Sequence, residues 1–315
     1  MPTVLITGGT GLVGKTLSRL LVEKGYEVIV LTRDVQGKPT DNPGITYASW
    51  DVQQQTIDEH AVAKADHIIH LAGAGVADKR WTEERKKEIR DSRTESSRLL
   101  VKALKDRPNQ VQTVVSASAI GWYGEDRDRA KNKPAFTEEM PADKSFLGET
   151  CKLWEQSIEP VEQLGKRLVK IRIGIVLSND GGAFVSFKQP VKFGIAAMLG
   201  NGKQVISWIH LHDLCQMFIY ALESRSMSGA YNAVAPGPVT NKSFTQQLAS
   251  KIKGRFFIPI HVPVFVLKLL LGEVSVEVLK SATVSCDKVR FAGFAFTYPT
   301  LEAALNELCS VPNKG

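Results

Sequence analysis

The chain has 315 residues, 43% of them hydrophobic and 23% charged, with a net charge of +7. That composition supports a packed core and excludes a disordered or low-complexity chain, and the length fits one large α/β domain or a nucleotide domain with a smaller partner. The basic excess suits an anionic ligand without implying nucleic acid. Its densest run, Arg85-Lys86-Lys87, is interleaved with Glu83, Glu84 and Glu88, as on the solvated face of a helix.

A strand is expected at 3–7, directly after Met1-Pro2, so no leader segment is expected ahead of it. Further β-rich runs at 27–32, 45–49, 67–71, 113–116 and 168–173 alternate with helical patterns at 12–24, 83–105 and 147–164. Strands alternating with helices imply right-handed crossovers and a parallel sheet covered on both faces. The unbroken apolar run Val28-Ile29-Val30-Leu31 reads as a strand buried on both sides. Past residue 178 the rhythm breaks into a Phe- and Gly-rich segment. A strand at 205–209, a helix at 211–223, a returning strand at 231–234 and helices at 243–253, 264–271 and 301–308 follow. The apolar run 262–271 is too short to span a bilayer and is interrupted by Pro263 and Lys268, so it is expected in a core or as the floor or lid of a pocket. The expected architecture is a doubly wound parallel α/β sheet (1–177 plus 206–235) with a smaller, mainly helical substrate-side domain (178–205 plus 236–315). The four cysteines (Cys151, Cys215, Cys286, Cys309) show neither metal-ligand nor C-x-x-C spacing and read as reduced thiols of a cytoplasmic protein; no metal site is expected.

Thr7-Gly8-Gly9-Thr10-Gly11-Leu12-Val13-Gly14 lies between the first strand and the first helix. Its glycines satisfy Gly8-x-x-Gly11-x-x-Gly14 and Gly9-x-Gly11-x-x-Gly14 together. Chemistry needs glycine there for a tight turn, for close backbone approach to a pyrophosphate and for packing of helix on strand. The free N–H groups of the helix mouth then face the phosphates. Loop and helix start, Gly8 and Thr10 through Gly14, are therefore candidate cofactor-binding residues. The second strand ends in Thr32-Arg33, where an NAD-specific loop usually has an acidic residue. A guanidinium there suits a 2′-phosphate, so NADP(H) is expected over NAD(H), with the neighbouring Asp34 as the competing fact. Asp51 after the third strand, and Leu71, Ala72 and Gly73 after the fourth, are candidates for the adenine edge and for the ribose and nicotinamide.

With these residues the chain resembles an extended short-chain dehydrogenase/reductase. More narrowly, it resembles an atypical branch, a putative NAD-dependent epimerase family with its own C-terminal domain. Matching segments include Leu71-Ala72-Gly73-Ala74, Ser116 through Gly124, Phe146-Leu147-Gly148-Glu149, Arg172 through Leu177, Ser207-Trp208-Ile209-His210 and the helix after Tyr298-Pro299. The resemblance implies a cofactor site that includes Thr32, Arg33, Leu71, Ala72, Glu88, Arg93 and Val176, and it implies a homodimer as in extended relatives. It also implies a catalytic Ser with a Tyr-x-x-x-Lys pair, and here the chain departs from the pattern. Ser118 occupies the serine place, but anchoring on Glu155-Gln156 puts Leu147 at the tyrosine and Cys151 at the lysine. Two readings stand. One is an oxidoreductase or epimerase-like enzyme on a small metabolite, with Ser118 and Tyr123, His210 or a substrate group managing the proton. The other is a nonenzymatic NADP(H)-binding sensor. Gly182, Trp208 and His210 are the substrate-side candidates; no nucleic-acid or membrane partner is expected.

Overall fold

The computed structural model describes residues 1–36, 42–126 and 134–310. In chain order the first elements are β1 (Thr3–Thr7), α1 (Leu12–Glu23), β2 (Glu27–Thr32), β3 (Ile45–Asp51), β4 (Thr56–Ile57), α2 (Glu59–Lys64), β5 (His67–His70) and α3 (Glu83–Asp106). There follow β6 (Thr113–Ala119), α4 (Phe146–Ile158), α5 (Pro160–Gln163), β7 (Arg167–Ile173), β8 (Ile175–Leu177), α6 (Ala183–Lys192), β9 (Ile195–Leu199), β10 (Val205–Ile206) and β11 (Trp208–His210). The chain continues through α7 (Leu211–Glu223), β12 (Gly229–Ala233), β13 (Val239–Thr240), α8 (Asn241–Lys253) and β14 (Ile258–Val262). It closes with α9 (Val264–Leu271), α10 (Ser275–Leu279), α11 (Asp287–Phe291) and α12 (Leu301–Ser310).

The main sheet runs β12-β7-β6-β5-β1-β2-β3-β4, and every pairing except β3 with β4 is parallel. It is doubly wound. From β1 the chain builds outward through β2 and β3, then crosses back to β5 on the other side, so the carboxyl ends of β1 and β5 flank the switch in strand order. Such a crevice is where ligands bind in open α/β sheets. All five residues of β1 and five of the six in β2 are buried, because helices cover both faces. On one face Leu17 and Leu21 of α1 join Leu214, Phe218 and Leu222 of α7. On the other, Leu99, Leu100, Ala103 and Leu104 of α3 pack with Val62 and Val161. Side-chain caps start the helices: Thr82 accepts from the Arg85 amide (3.1 Å), and Asp58 accepts from Ala61 (3.0 Å).

A third core, built from Phe184, Val191, Trp208, Phe244, Leu248, Leu301 and Leu305, joins α6, α8 and α12 on the substrate side. Ala282, Val284, Cys286, Val289 and Phe294, expected on that side, instead complete the core of the large sheet. Two expected elements divide. The helix pattern 147–164 breaks after Ile158 because Pro160, at the start of α5, has no N–H to continue the ladder. The strand pattern 205–209 breaks at Ser207, where β10 pairs antiparallel with β13 but β11 pairs parallel with β8. The Ser207 hydroxyl fastens that change of partner by donating to Ala282 O (2.8 Å) and accepting from the Val284 amide (3.0 Å). Of the alternatives expected for 262–271, the core position does not hold: helix α9 lies on the surface, with Leu267 its one buried side chain. Among the described residues no helix is long and apolar enough to cross a membrane.

Candidate functional site: the mouth of the first helix

Each glycine of the first loop answers a different steric demand. Gly8 has φ of +67°, and a Cβ there would lie 2.8 Å from the Leu71 carbonyl carbon. A Cβ at Gly14 would collide with Gly8 O, so helix and loop touch backbone to backbone. Gly9 is required by β2, since its Cβ would lie 2.6 Å from Val30 Cγ1. Gly11 meets no such neighbour closer than 3.3 Å; it turns the loop with its amide on Gly8 O (3.0 Å) and begins α1. Close neighbours thus require glycine at positions 8, 9 and 14, while Gly11 shapes the turn. Gly11 supplies no side-chain cap and the first turn holds no acidic residue. The first helical bond runs from Lys15 N to Gly11 O (3.0 Å), so the amides of Leu12, Val13 and Gly14 point out of the helix mouth without intrahelical acceptors.

Thr7 joins this loop to the one after β5. Its hydroxyl oxygen accepts from the Leu71 and Ala72 amides (3.1 and 3.2 Å), which directs its proton to His70 Nδ1 at 2.7 Å. His70 Nε2 then donates to Ser97 Oγ (3.0 Å). Burial drives the His70 pKa down to about 3, so the ring is neutral. Sequence reading missed this His70 link, whose signal was a histidine at the carboxyl end of the strand His67–His70.

The remaining cofactor candidates divide. Arg33 is exposed beyond β2, and among the described residues no carboxylate pairs with it, while Asp34 turns its Oδ1 to the Gln36 amide (3.2 Å). Thr32 is buried and its hydroxyl closes the same turn with Asp34 O. Asp51 Oδ1 caps a local turn through the amides of Gln53 (2.8 Å) and Gln54 (3.1 Å). Glu88 pairs with Arg85 (2.6 Å), whose hydrogen bond holds its carboxyl below the usual range. Arg85 is itself buried, gives its other amino group to Gly75 O, and leaves Nε without an acceptor. Arg93 crosses from α3 toward α4. Its guanidinium stacks 4.9 Å over the Trp154 ring, and a Cβ on Gly73 would lie 3.2 Å from it. Its charge faces the Cys151 thiol, which burial nevertheless pushes up to about 12. Val176 pairs with Ile209 across β8 and β11. Gly182, with φ of +75°, comes within 3.5 Å of Leu12 if given a Cβ, and so brings the substrate-side segment against the helix mouth.

The catalytic candidates, and Trp208 and His210 on the substrate side, all make hydrogen bonds within the protein. Ser118 is buried and donates to Glu155 Oε1 at 2.7 Å. Glu155 in turn holds Arg172 through both oxygens (2.8 and 3.0 Å). Tyr123 is wholly buried; its hydroxyl donates to Asn232 Oδ1 (2.7 Å) and accepts from Arg172 (3.0 Å). Burial pushes the phenol up to about 12, against the pull of Arg172. Both hydroxyls thus belong to a closed network tying β6, β7, α4 and β12 together. Trp208 is core, with its Nε1 on Gly237 O (2.8 Å). His210 begins α7 by accepting from the His212 amide, bonds Glu307 of α12 at 3.0 Å and packs 4.1 Å from the Tyr298 ring. It fastens the last helix. The segments Ser-Trp-Ile-His and Tyr-Pro belong together because they touch.

Comparison with known proteins agrees with this arrangement. Residues 4–146 match the NAD dependent epimerase/dehydratase family, and residues 262–308 match a domain of unknown function, DUF1731. The chain is 34% identical to the epimerase family protein YfhF of Bacillus subtilis, over 97% of both chains. It belongs to the epimerase family proteins. A Staphylococcus saprophyticus epimerase family protein, SSP1921, is 35% identical over 98% of this chain and 99% of its own. Among solved structures, the human epimerase family protein SDR39U1, determined with NADPH, superposes with a TM-score of 0.84 at 29% identity, over 98% of this chain and 99% of that one. UDP-N-acetylglucosamine 4-epimerase of Bacillus cereus, 17% identical with a TM-score of 0.75 over 98% and 99% of the two chains, shares the fold.

Proposed function

We propose that this epimerase family protein binds NADP(H) across the carboxyl ends of β1 and β5. The observation that carries the reading is the uncapped glycine mouth of α1, with its three outward amides, next to an exposed Arg33 at the end of β2 that no carboxylate among the described residues pairs. The amides of Leu12, Val13 and Gly14 would take the pyrophosphate, and Arg33 the 2′-phosphate. The fit to NADPH draws further support from the human relative solved with it. Arg93 places a cation beside Cys151, where the family's usual lysine is missing, and would orient the nicotinamide ribose in its stead.

When bound, the cofactor supplies hydride. What this chain contributes to the proton is unusual. Leu147 and the high-pKa Cys151 replace the usual pair, and the hydroxyls of Ser118 and Tyr123 are already engaged within the protein. The first reading is an NADP(H)-dependent oxidoreductase or epimerase-like enzyme whose small substrate brings its own acidic or basic group. The commitment of Ser118 and Tyr123 favours a second: a nonenzymatic NADP(H) sensor.

Titration of the purified chain with NADPH, followed by nicotinamide fluorescence, tests the common part; no saturable binding overturns it. Single-turnover mixing of the NADPH complex with a metabolite panel separates the rest. Oxidation by any member supports the enzyme, and occupancy that alters protease sensitivity without oxidation supports the sensor.

A further inference from the structure

The surface around β14 and α9 combines two properties that are rarely found together. It is strongly apolar: Phe193, Phe256, Ile258, Ile260, Phe265 and Leu269 are all exposed. It is also basic: Lys251, Lys253 and Arg255 lead from α8 into β14, Lys268 lies on α9, and residues 251–272 contain no Asp or Glu. Of the acids that follow, Glu273 shares Lys86 with Glu83 (2.6 and 3.1 Å), and Glu277 pairs with Lys280 (3.4 Å).

Helix geometry sets the orientation. Successive residues are offset by about 100°, so Phe265 and Leu269 lie opposite Leu267. Leu267 is 5% exposed and faces the protein, whereas Phe265 and Leu269 are each 72% exposed and form one outward ridge. Lys268 stands beside that ridge, its stem able to lie on apolar material while its ammonium stays wet. The helix end is tethered by Arg80, which donates to Leu269 O (2.7 Å) and Leu270 O (3.2 Å), so the ridge is held rather than free to fold inward.

From these observations we propose that α9, with the basic residues at the end of α8 and just before β14, docks this protein on an anionic lipid surface. Phe265 and Leu269 enter the acyl boundary, and Lys251, Lys253, Arg255 and Lys268 meet lipid phosphates. Charge decides the occupant: a second copy on the same face would set each basic cluster against its own image. The mode is interfacial, since eight helical residues cannot span a bilayer. It rests on surface chemistry alone and is independent of the cofactor reading.

The test is sedimentation of the full chain with vesicles of phosphatidylcholine alone, or with about 30 mol% phosphatidylglycerol added. The wild type is expected on the anionic vesicles, released by salt, with Phe265→Ser/Leu269→Ser weakening binding at least about tenfold. If that variant misfolds by circular dichroism, Arg255→Glu/Lys268→Glu gives the same reading through charge. No sedimentation of the wild type overturns the proposal and leaves an acidic protein as the occupant. Equal binding to neutral vesicles overturns the lipid charge requirement. A dimer by light scattering that the Phe265/Leu269 variant dissolves, with no vesicle binding, overturns it in favour of self-association.

Discussion

Arg33 and Asp34 are neighbours at the end of β2, and their side chains part there. Asp34 is drawn into its own turn by the Gln36 amide, while Arg33 stays in solvent with no partner among the described residues. Arg33→Ala should weaken NADPH by roughly 1.5–3 kcal/mol, about tenfold to a hundredfold, and leave NADH unchanged. Parallel titrations with the two nucleotides check this; equal losses would remove the 2′-phosphate role. His70 gives a second expectation. Its ordinary pKa is 6.5 and its folded value is about 3, so the unfolded chain takes up a proton that the native one refuses. The His70 contribution to stability should therefore fall as pH drops from about 6.5 toward 3, by about 1.4 kcal/mol per unit at steepest. Denaturant midpoints between pH 7 and pH 5 should slope less for His70→Asn than for the wild type.

Among the elements, α4 decides most about the chemistry. Its amphipathic pattern is legible in the residues. That Glu155 one turn beyond Cys151 holds Ser118 and Arg172 is not, because the partners come from β6 and β7. The two strands bring them together only through the register Ser118 to Arg172. Breaking a buried ion pair from one side is costly: Glu155→Ala should lower stability by about 3–5 kcal/mol, seen as a fall in Tm. Ser118→Ala removes one hydrogen bond and should cost about 1 kcal/mol. A loss of stability from Ser118→Ala as large as that from Glu155→Ala would contradict this ranking.

For the whole molecule, α12 closes the substrate-side core against the large sheet. Asp213 accepts from the Thr297 and Tyr298 amides (2.8 and 2.9 Å), and His210 reaches Glu307 from the same end of α7. Burial lowers the His210 pKa while Glu307 opposes it. His210→Ala should loosen α12 without unfolding the large sheet. Amide hydrogen exchange would show faster exchange over 301–310 and unchanged protection in β1 and β5.

The parallel sheet and the glycine loop follow from the sequence by itself. Strand and helix periods, positive-φ glycines and the identity of residues at fixed spacing are local properties. Tertiary structure alone decided which polar groups are spent and which apolar ones are bare. Ser118 meets Glu155 37 residues away, His210 meets Glu307 at 97, and Tyr123 meets Asn232 at 109. No local pattern encodes such partners. The exposure of α9 has the same origin: an apolar run states what a helix would bury, and only the packed molecule shows that no described residue covers its outer ridge.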